Sequence, residues 1–185
     1  MRRAARAAML GLTLVGAAAR AQEGVFLSEG DAPGAVFSSP DRLERREVVA
    51  TDGLRQRMQD QLGEVRVSLW EERYVFFRVW HGDELLGHAI IVEEIGKHRP
   101  ITFVVGLTPA GTVADVAVMA YREPYGGEIR NARFLDQYRG KRAADRLRTF
   151  REITNIVGAT LSVDAASRAV RKAQALHGAL GLGRA

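Results

Sequence analysis

The sequence of 185 residues contains no cysteine. Disulfide bonds, thiolate-bound iron–sulfur clusters and covalently attached c-type haem are therefore excluded. The four histidines, at positions 81, 88, 98 and 177, are scattered, and none has a second ligand at the spacing of a zinc site. A protein of this composition that transfers electrons needs an organic cofactor or a metal held without thiolates.

The chain also lacks a long hydrophobic run, and the apolar run within the first 21 residues is short. They begin with Arg2, Arg3 and Arg6, continue with an apolar run over 9–19, and end in a small-x-small sequence before Gln22. This layout is typical of a secretory signal peptide, and the run is too short to span a bilayer comfortably. We predict a signal peptide over 1–21 and a periplasmic or otherwise exported protein; the alternative is a retained anchor, which would leave the protein peripheral to the membrane at most.

Removing this segment removes most of the positive charge. The whole chain has 27 Lys and Arg against 22 Asp and Glu, a net charge of +5. Four arginines and no acidic residue lie in 1–21, so the remainder has 23 basic against 22 acidic residues, or +1. A basic stripe with interleaved aromatics is not found there, and we expect no nucleic acid as a partner.

The rest of the chain predicts an α+β fold, an antiparallel sheet with packed helices. Residues 22–62 are interpreted as a linker, rich in small residues up to Pro40, followed by one or two short surface helices, and 63–181 as the functional domain. Alternating or β-branched segments predict the strands, and helical spacing of apolar residues predicts the helices. The predicted strands are 65–70, 74–80, 85–95, 101–107 and 113–121, and the predicted helices are 130–138 and 163–180.

The start of the last helix is the most informative segment. Gly158 and Ala159 form a small-residue turn that places Thr160 at the start of the helix, with Ser162 as the predicted N-cap. Free backbone N–H groups and the positive end of the helix dipole favour a phosphate at such a point. On these grounds alone, an ordinary capped helix start is the more common explanation.

The wider segment Ile-Thr-Asn-Ile-Val-Gly-Ala-Thr-Leu-Ser, residues 153–162, resembles the flavinylation motif of FMN-binding domains. Such domains occur in the sodium-translocating NADH:quinone reductase, in the Rnf electron-transport complex and in many small exported proteins. The family pattern is roughly Asp-x-x-Ser/Thr-Gly-Ala-Thr-x-Ser/Thr, and the resemblance implies that a flavin transferase esterifies FMN to Thr160. Two positions depart from it, Thr154 in place of Asp and Val157 in place of Ser/Thr.

Four further segments resemble the family in the expected order, at 96–103, 109–113, 122–129 and 134–141. The similarity extends from about residue 63 to residue 180. It implies an FMN site that includes the phosphate turn and a Glu-x-x-Gly loop near the flavin ring. Gln137, within the predicted helix 130–138, would bond a ring edge, and Lys141, just after that helix, would supply positive charge. The implied cofactor-binding residues are Gly158, Ala159, Thr160, Leu161, Ser162, Glu123, Tyr125, Gly126, Gln137 and Lys141.

The resemblance implies an exported flavoprotein that carries one FMN and transfers electrons between a membrane redox system and an extracytoplasmic acceptor. The implied partners are membrane or periplasmic redox proteins and the flavin transferase. We expect an electron-transfer protein rather than a complete enzyme, with no catalytic residue and no metal site. The departures at Thr154 and Val157 leave an alternative open, a non-catalytic exported binding domain with a decayed or reversible flavin site. A third interpretation is a hydrolase that uses Glu123 and His98, although no nucleophile elbow, phosphate-loop lysine motif or dinucleotide fingerprint is found.

Overall fold

The computed structural model describes residues 24–183, so the predicted signal peptide lies outside the described residues. Within that range, six antiparallel strands form one sheet, in the spatial order β1-β6-β5-β4-β3-β2. The predicted α+β class with an antiparallel sheet is confirmed. In chain order the strands are Gly24–Val25 (β1), Arg42–Val49 (β2), Arg73–His81 (β3), Glu84–Ile95 (β4), Pro100–Leu107 (β5) and Val113–Tyr121 (β6).

Helices cover both faces of this sheet. The four α-helices in the described part are Ala32–Val36 (α1), Asp52–Leu62 (α2), Ala132–Leu135 (α3) and Thr160–Ala179 (α4). The long helix α4 packs beside α2 against one face, where its apolar stripe, including Val163, Val170 and Leu176, is completely buried. The short helix α1 covers the other face and packs with Phe77, Val79 and Val104.

The predicted strand over 65–70 is wrong. These residues lack strand pairing, although Val65, Val67 and Leu69 pack against the core, as their alternation indicates. They do not pair with β3, which follows them in the chain, because β3 is already paired with β2 on one side and β4 on the other. The Ser68 N–H donates instead to the buried Glu94 carboxylate at 2.9 Å.

The linker and helix predictions for 22–62 are also partly wrong. Residues 24–25 form β1 and 32–36 form α1, whose Ala32 and Val36 are buried. Residues 42–49 form edge strand β2, and only 52–62 are helical, as α2. The charges of β2 obscured its strand character, since Arg45–Glu47 and Arg46–Glu44 ion pairs lie on an exposed edge that such residues protect from further pairing. The predicted domain limit at residue 63 stays a prediction.

Both predicted C-terminal helices have different bounds in the structure. Residues 127–138 form a 3₁₀ turn (Gly127–Arg130), α3 and a second 3₁₀ turn (Asp136–Tyr138), because Asn131 adopts an extended conformation with ψ of 121°. Helix α4 begins at Thr160, three residues before the predicted start. Within the described range, no helix is both long enough and apolar enough to cross a bilayer.

Two buried histidines meet between β4 and the end of α4. The His88 and His177 rings lie 5.1 Å apart, centroid to centroid, in an edge-to-face arrangement, and both side chains are almost completely buried. Burial, followed by the neighbouring His177 and Arg78, lowers the pKa of His88 to about 4, and burial lowers the pKa of His177. Both rings are therefore neutral in the folded protein at pH 7.

We expect this pair to make stability fall with acid. The unfolded chain takes up protons at these histidines below about pH 6.5, whereas the folded chain does so only near pH 4 at His88. The stability that depends on neutral His88 is fully present above pH 6.5. About 3 kcal/mol of unfolding free energy is lost as the pH falls from 6.5 to 4. Urea unfolding at several pH values should show this slope. His88→Leu should flatten it, and an unchanged slope in that variant would contradict the assignment.

Candidate functional site

The N-terminus of α4 presents unbonded backbone donors. Thr160 is the first residue of this 20-residue helix, and Ala159 in the N-cap position provides no side-chain hydrogen bond. The first intrahelical bond runs from Val163 N to Ala159 O, at 2.9 Å. The N–H groups of Thr160, Leu161 and Ser162 thus have no acceptor within the helix, and the helix dipole adds positive potential beside them. This is a suitable place for a phosphate.

The predicted N-cap at Ser162 is wrong. Ser162 lies within the first turn of α4 and is 5 % exposed, and its hydroxyl is 3.0 Å from the hydroxyl of Tyr121 on β6. The hydroxyl therefore fastens the helix to the sheet. Because the helix begins at Thr160, the N-cap position falls on Ala159, whose side chain cannot accept a hydrogen bond.

The turn before the helix is open on its outer side. Gly158 has a φ of +83°, which side-chain-bearing residues rarely adopt, and no heavy atom lies within 4 Å of the position where its Cβ would stand. Glycine is therefore required by the backbone conformation rather than by a close neighbour. The result is free space directly in front of the donors of α4.

A cavity of about 450 Å³ occupies this space. Its walls combine the turn and first residues of α4 with the loop after β6 and the loop between β4 and β5. Seven of the sequence-predicted site residues are among those that line it. The lining residues are Lys97, His98, Glu123, Pro124, Tyr125, Gly158, Ala159, Thr160, Leu161 and Ser162.

The Thr160 side chain lies at the edge between protein and cavity. Its Oγ1 accepts a hydrogen bond from Asn155 Nδ2 at 2.9 Å, and the residue is partly exposed. The other polar atom of Asn155, Oδ1, is buried without a hydrogen-bond partner. Asn155 was not predicted as a site residue; it lies inside the motif segment 153–162, at a position that the family pattern leaves unspecified, and this position was the available signal.

Glu123 braces a loop instead of pointing a free carboxylate into the cavity. It is 2 % exposed, and its Oε1 accepts hydrogen bonds from the backbone N–H groups of His98 and, at 2.8 Å, Arg99. Burial raises the pKa of Glu123, but the backbone N–H groups of His98, Arg99 and Lys97 outweigh burial and hold it below its usual value. The carboxylate stays ionised and is engaged by backbone N–H groups, so it is not free to act on a substrate. This removes support from the hydrolase interpretation.

The loop after β6 has one exposed and one tightly enclosed residue. The Tyr125 side chain is 79 % exposed at the cavity, while its carbonyl accepts a hydrogen bond from the Tyr121 hydroxyl. Gly126 has a φ of +86°, and a Cβ there would lie 2.8 Å from the Tyr121 hydroxyl and 2.9 Å from Ser162 Oγ. Gly126 is thus explained by packing between these two residues, and Tyr125 is the member of this loop that can meet a ligand.

Gln137 and Lys141 are not brought to the cavity. Gln137 Oε1 accepts from Thr154 N at 2.7 Å and so positions the loop that leads to Thr160. Lys141 lies near the opposite end of α4, where its carbonyl accepts from Val113 N at 2.9 Å and from Gln174 Nε2 at 3.2 Å. Gln174 follows Thr160 by 14 residues, or roughly 20 Å along the helix axis.

Lys97 and Pro124 line the cavity but were not predicted as site residues. Both lie in segments that carried the family resemblance, beside residues that were chosen. Lys97 brings to the cavity the positive charge that the prediction assigned to Lys141. The donors of α4, the open turn at Gly158, the Lys97 ammonium and the Tyr125 ring suit a ligand with a phosphate at one end and a planar ring at the other.

Comparison with known families agrees with this geometry. Residues 96–175 match the FMN-binding domain family, a segment that contains all the residues lining the cavity. A comparison with curated proteins finds no match. The family indicates FMN as the cofactor, whose phosphate and isoalloxazine ring are the two groups that the cavity suits. Over residues 96–175 the chain is therefore similar to FMN-binding domains, and this similarity supports flavin binding.

Proposed function

We propose that this protein is an exported flavoprotein that carries one FMN covalently and transfers electrons between a membrane redox system and an extracytoplasmic acceptor. The observation that carries the proposal is the position of Thr160. Its hydroxyl stands at the uncapped start of a 20-residue helix, at the wall of a 450 Å³ cavity, within the family match. The other two hydroxyls of the motif are not so placed: Ser162 is buried against Tyr121, and Thr154 lies six residues before the helix and is not among the residues that line the cavity.

The covalent bond is a phosphoester between Thr160 Oγ1 and the FMN phosphate. Its formation needs an activated flavin phosphate, such as a flavin dinucleotide, and a flavin transferase. Thr160 Oγ1 forms the new bond to phosphorus and loses its proton, while the bond from phosphorus to the nucleotide leaving group breaks. Asn155 Nδ2, which donates to Oγ1, holds the hydroxyl oxygen in place and leaves its lone pairs partly available for this attack.

The residues around the cavity have separate roles in holding the cofactor. The N–H groups at the start of α4 bind phosphate oxygens, and the helix dipole offsets their charge. Tyr125 offers a ring face for stacking, and Lys97 adds a positive charge that favours a reduced, anionic ring. When bound, FMN supplies the electron transfer itself; the protein contributes attachment, orientation and redox tuning.

Export is supported by the basic and apolar layout of residues 1–21. A covalent bond suits an exported flavoprotein, because a cofactor lost outside the cytoplasm is not readily replaced. The alternative, reversible FMN binding, is favoured by one observation: Val157, which replaces a hydroxyl residue of the motif, is 98 % exposed, so a transferase that contacts this position would meet a methyl surface.

The intact mass of the protein tests the proposal. We expect protein that is coexpressed with a flavin transferase and then denatured to be heavier by one FMN less one water, with the addition in the peptide that contains Thr160. Expression of the protein without the transferase is the control, and the mass of that protein should show no added FMN. An unmodified mass in both samples would contradict covalent attachment, and an FMN titration would then decide between reversible binding and a decayed site.

A further inference from the structure

A second surface, distinct from the flavin cavity, is formed by the loop before α4 and the outer side of that helix. A groove of about 400 Å³ there is lined by four arginines, at positions 146, 148, 168 and 171, together with Phe150. Arg168 and Arg148 are paired with Glu94 and Glu152. Arg146 forms no ion pair with any residue in the described range. Arg171 donates to the Asp145 carbonyl at 2.7 Å, and Asp164, the acidic residue of the lining, accepts a hydrogen bond from Thr149. Because four arginines face one aspartate and Arg146 is exposed, the groove is cationic at its exposed end.

Phe150 has an unusual combination of backbone conformation and exposure. Its φ is +68°, in the left-handed region that bulky residues rarely adopt, and its side chain is 72 % exposed. Leu147 in the same loop also has a positive φ, +53°, but is 2 % exposed. Burial of the Leu147 side chain offsets its backbone strain, whereas nothing within the described fold offsets that of Phe150.

The loop holds the Phe150 ring outward in a fixed turn. Phe150 N donates to Ile153 O at 2.9 Å, and Arg151 N and Glu152 N donate to Arg148 O at 3.1 and 2.9 Å. A glycine would satisfy the same turn without strain. An aromatic side chain that strains the backbone and stays in solvent does not stabilise the fold, which indicates that it binds a partner.

We propose that Phe150 and the arginines around it dock the protein onto an anionic phospholipid bilayer. Arginine binds phosphate oxygens well, and an aromatic ring lies favourably at the boundary between headgroups and acyl chains. A lipid surface fits better than an acidic protein, because one projecting ring offers too little area for a protein interface, which needs about 800 Å² from each partner. The proposal does not depend on flavin binding.

A single-site label tests where the contact lies. Because the chain has no cysteine, Arg151→Cys can carry an environment-sensitive dye beside Phe150 while that ring stays in place. We expect a blue shift with phosphatidylglycerol vesicles that disappears in high salt, and no shift with phosphatidylcholine vesicles. Leu43→Cys is the matched control: it is 42 % exposed on β2, among arginines that are paired with glutamates. Equal shifts at both positions, or none at 151, would overturn the proposal.

Vesicle sedimentation of unlabelled variants separates membrane binding from a purely structural role of Phe150, because only binding predicts weaker sedimentation without a loss of stability. Phe150→Gly should weaken binding to phosphatidylglycerol vesicles about tenfold, yet melt at the same or a higher temperature because backbone strain is relieved. Arg146→Ala should weaken binding about fivefold. Unchanged binding of Phe150→Gly would refute the proposal. Equally tight binding to soluble polyglutamate would also refute it and would indicate an acidic protein partner.

Discussion

Replacement of Thr160 by Val should abolish covalent flavin completely while leaving the fold intact. Valine has the same branched shape, so the start of α4 is retained, but no oxygen is left to form the ester. The lost hydrogen bond from Asn155 should cost about 1 kcal/mol of unfolding free energy. Intact mass after coexpression with a flavin transferase measures the result, together with in-gel flavin fluorescence of the denatured protein.

Two matched variants make the result specific. Thr160→Ser keeps the hydroxyl and should still accept flavin. Ser162→Ala removes a second hydroxyl of the motif, which is bonded to Tyr121, and should also stay flavinylated, with a loss of stability only. Covalent flavin that persists in Thr160→Val, or disappears in Ser162→Ala while the protein stays folded, would show that the attachment site is elsewhere. Reversible binding of added FMN by Thr160→Val is expected, because the backbone donors at the helix start remain.

The second large effect is expected at Lys172 in the middle of α4. This side chain is completely buried, and its ammonium lies 2.8 Å from Glu71 Oε1 and 3.2 Å from Glu94 Oε1, with the Trp70 ring at 4.9 Å. Arg168 adds a second cation on Glu94. Lys172→Met should lower the unfolding free energy by about 3–5 kcal/mol, because it leaves a buried carboxylate without its partner. Urea unfolding measures the loss.

The double variant tests whether unpaired charge is the cause. The four ionic groups of this cluster sum to zero, and Lys172→Met leaves one negative charge in excess. Adding Glu71→Gln restores neutrality, so Lys172→Met with Glu71→Gln should be more stable than Lys172→Met alone. Lys141→Met, outside the cluster, should change stability by less than about 0.5 kcal/mol. A double variant less stable than the single one would show that packing, not charge, dominates.

This cluster also explains why part of the sheet was misjudged from the sequence. Alternation at 65–70 correctly indicates which side chains face the core, but strand pairing depends on a free edge, which β3 does not offer. The segment is held instead by the carboxylate of Glu94, which lies 26 residues beyond Ser68 in the chain. Local pattern contains no information on such a distant acceptor. Strands with clear apolar alternation and short turns, β3 to β6, were predictable because their pairing is between neighbours.

The candidate site also contains some features that local sequence predicts and others that depend on distant residues. The turn at Gly158 and the position of Thr160 at the start of α4 were predictable, since they follow from the residues on either side of one helix start. Lys141 was misplaced because the chain order of a motif does not reveal at which end of the sheet a residue lies. Glu123 was placed at the site, but its role as a brace depends on backbone N–H groups of residues 98 and 99, which only the folded chain brings within reach.

The place of β1 at the sheet edge has a consequence for processing of the chain. Gly24 is paired with Tyr121, the residue whose hydroxyl contacts Ser162 at the cavity wall. The predicted cleavage point, after residue 21, precedes this strand by two residues, so β1 would hold the start of the processed chain at the edge of the sheet.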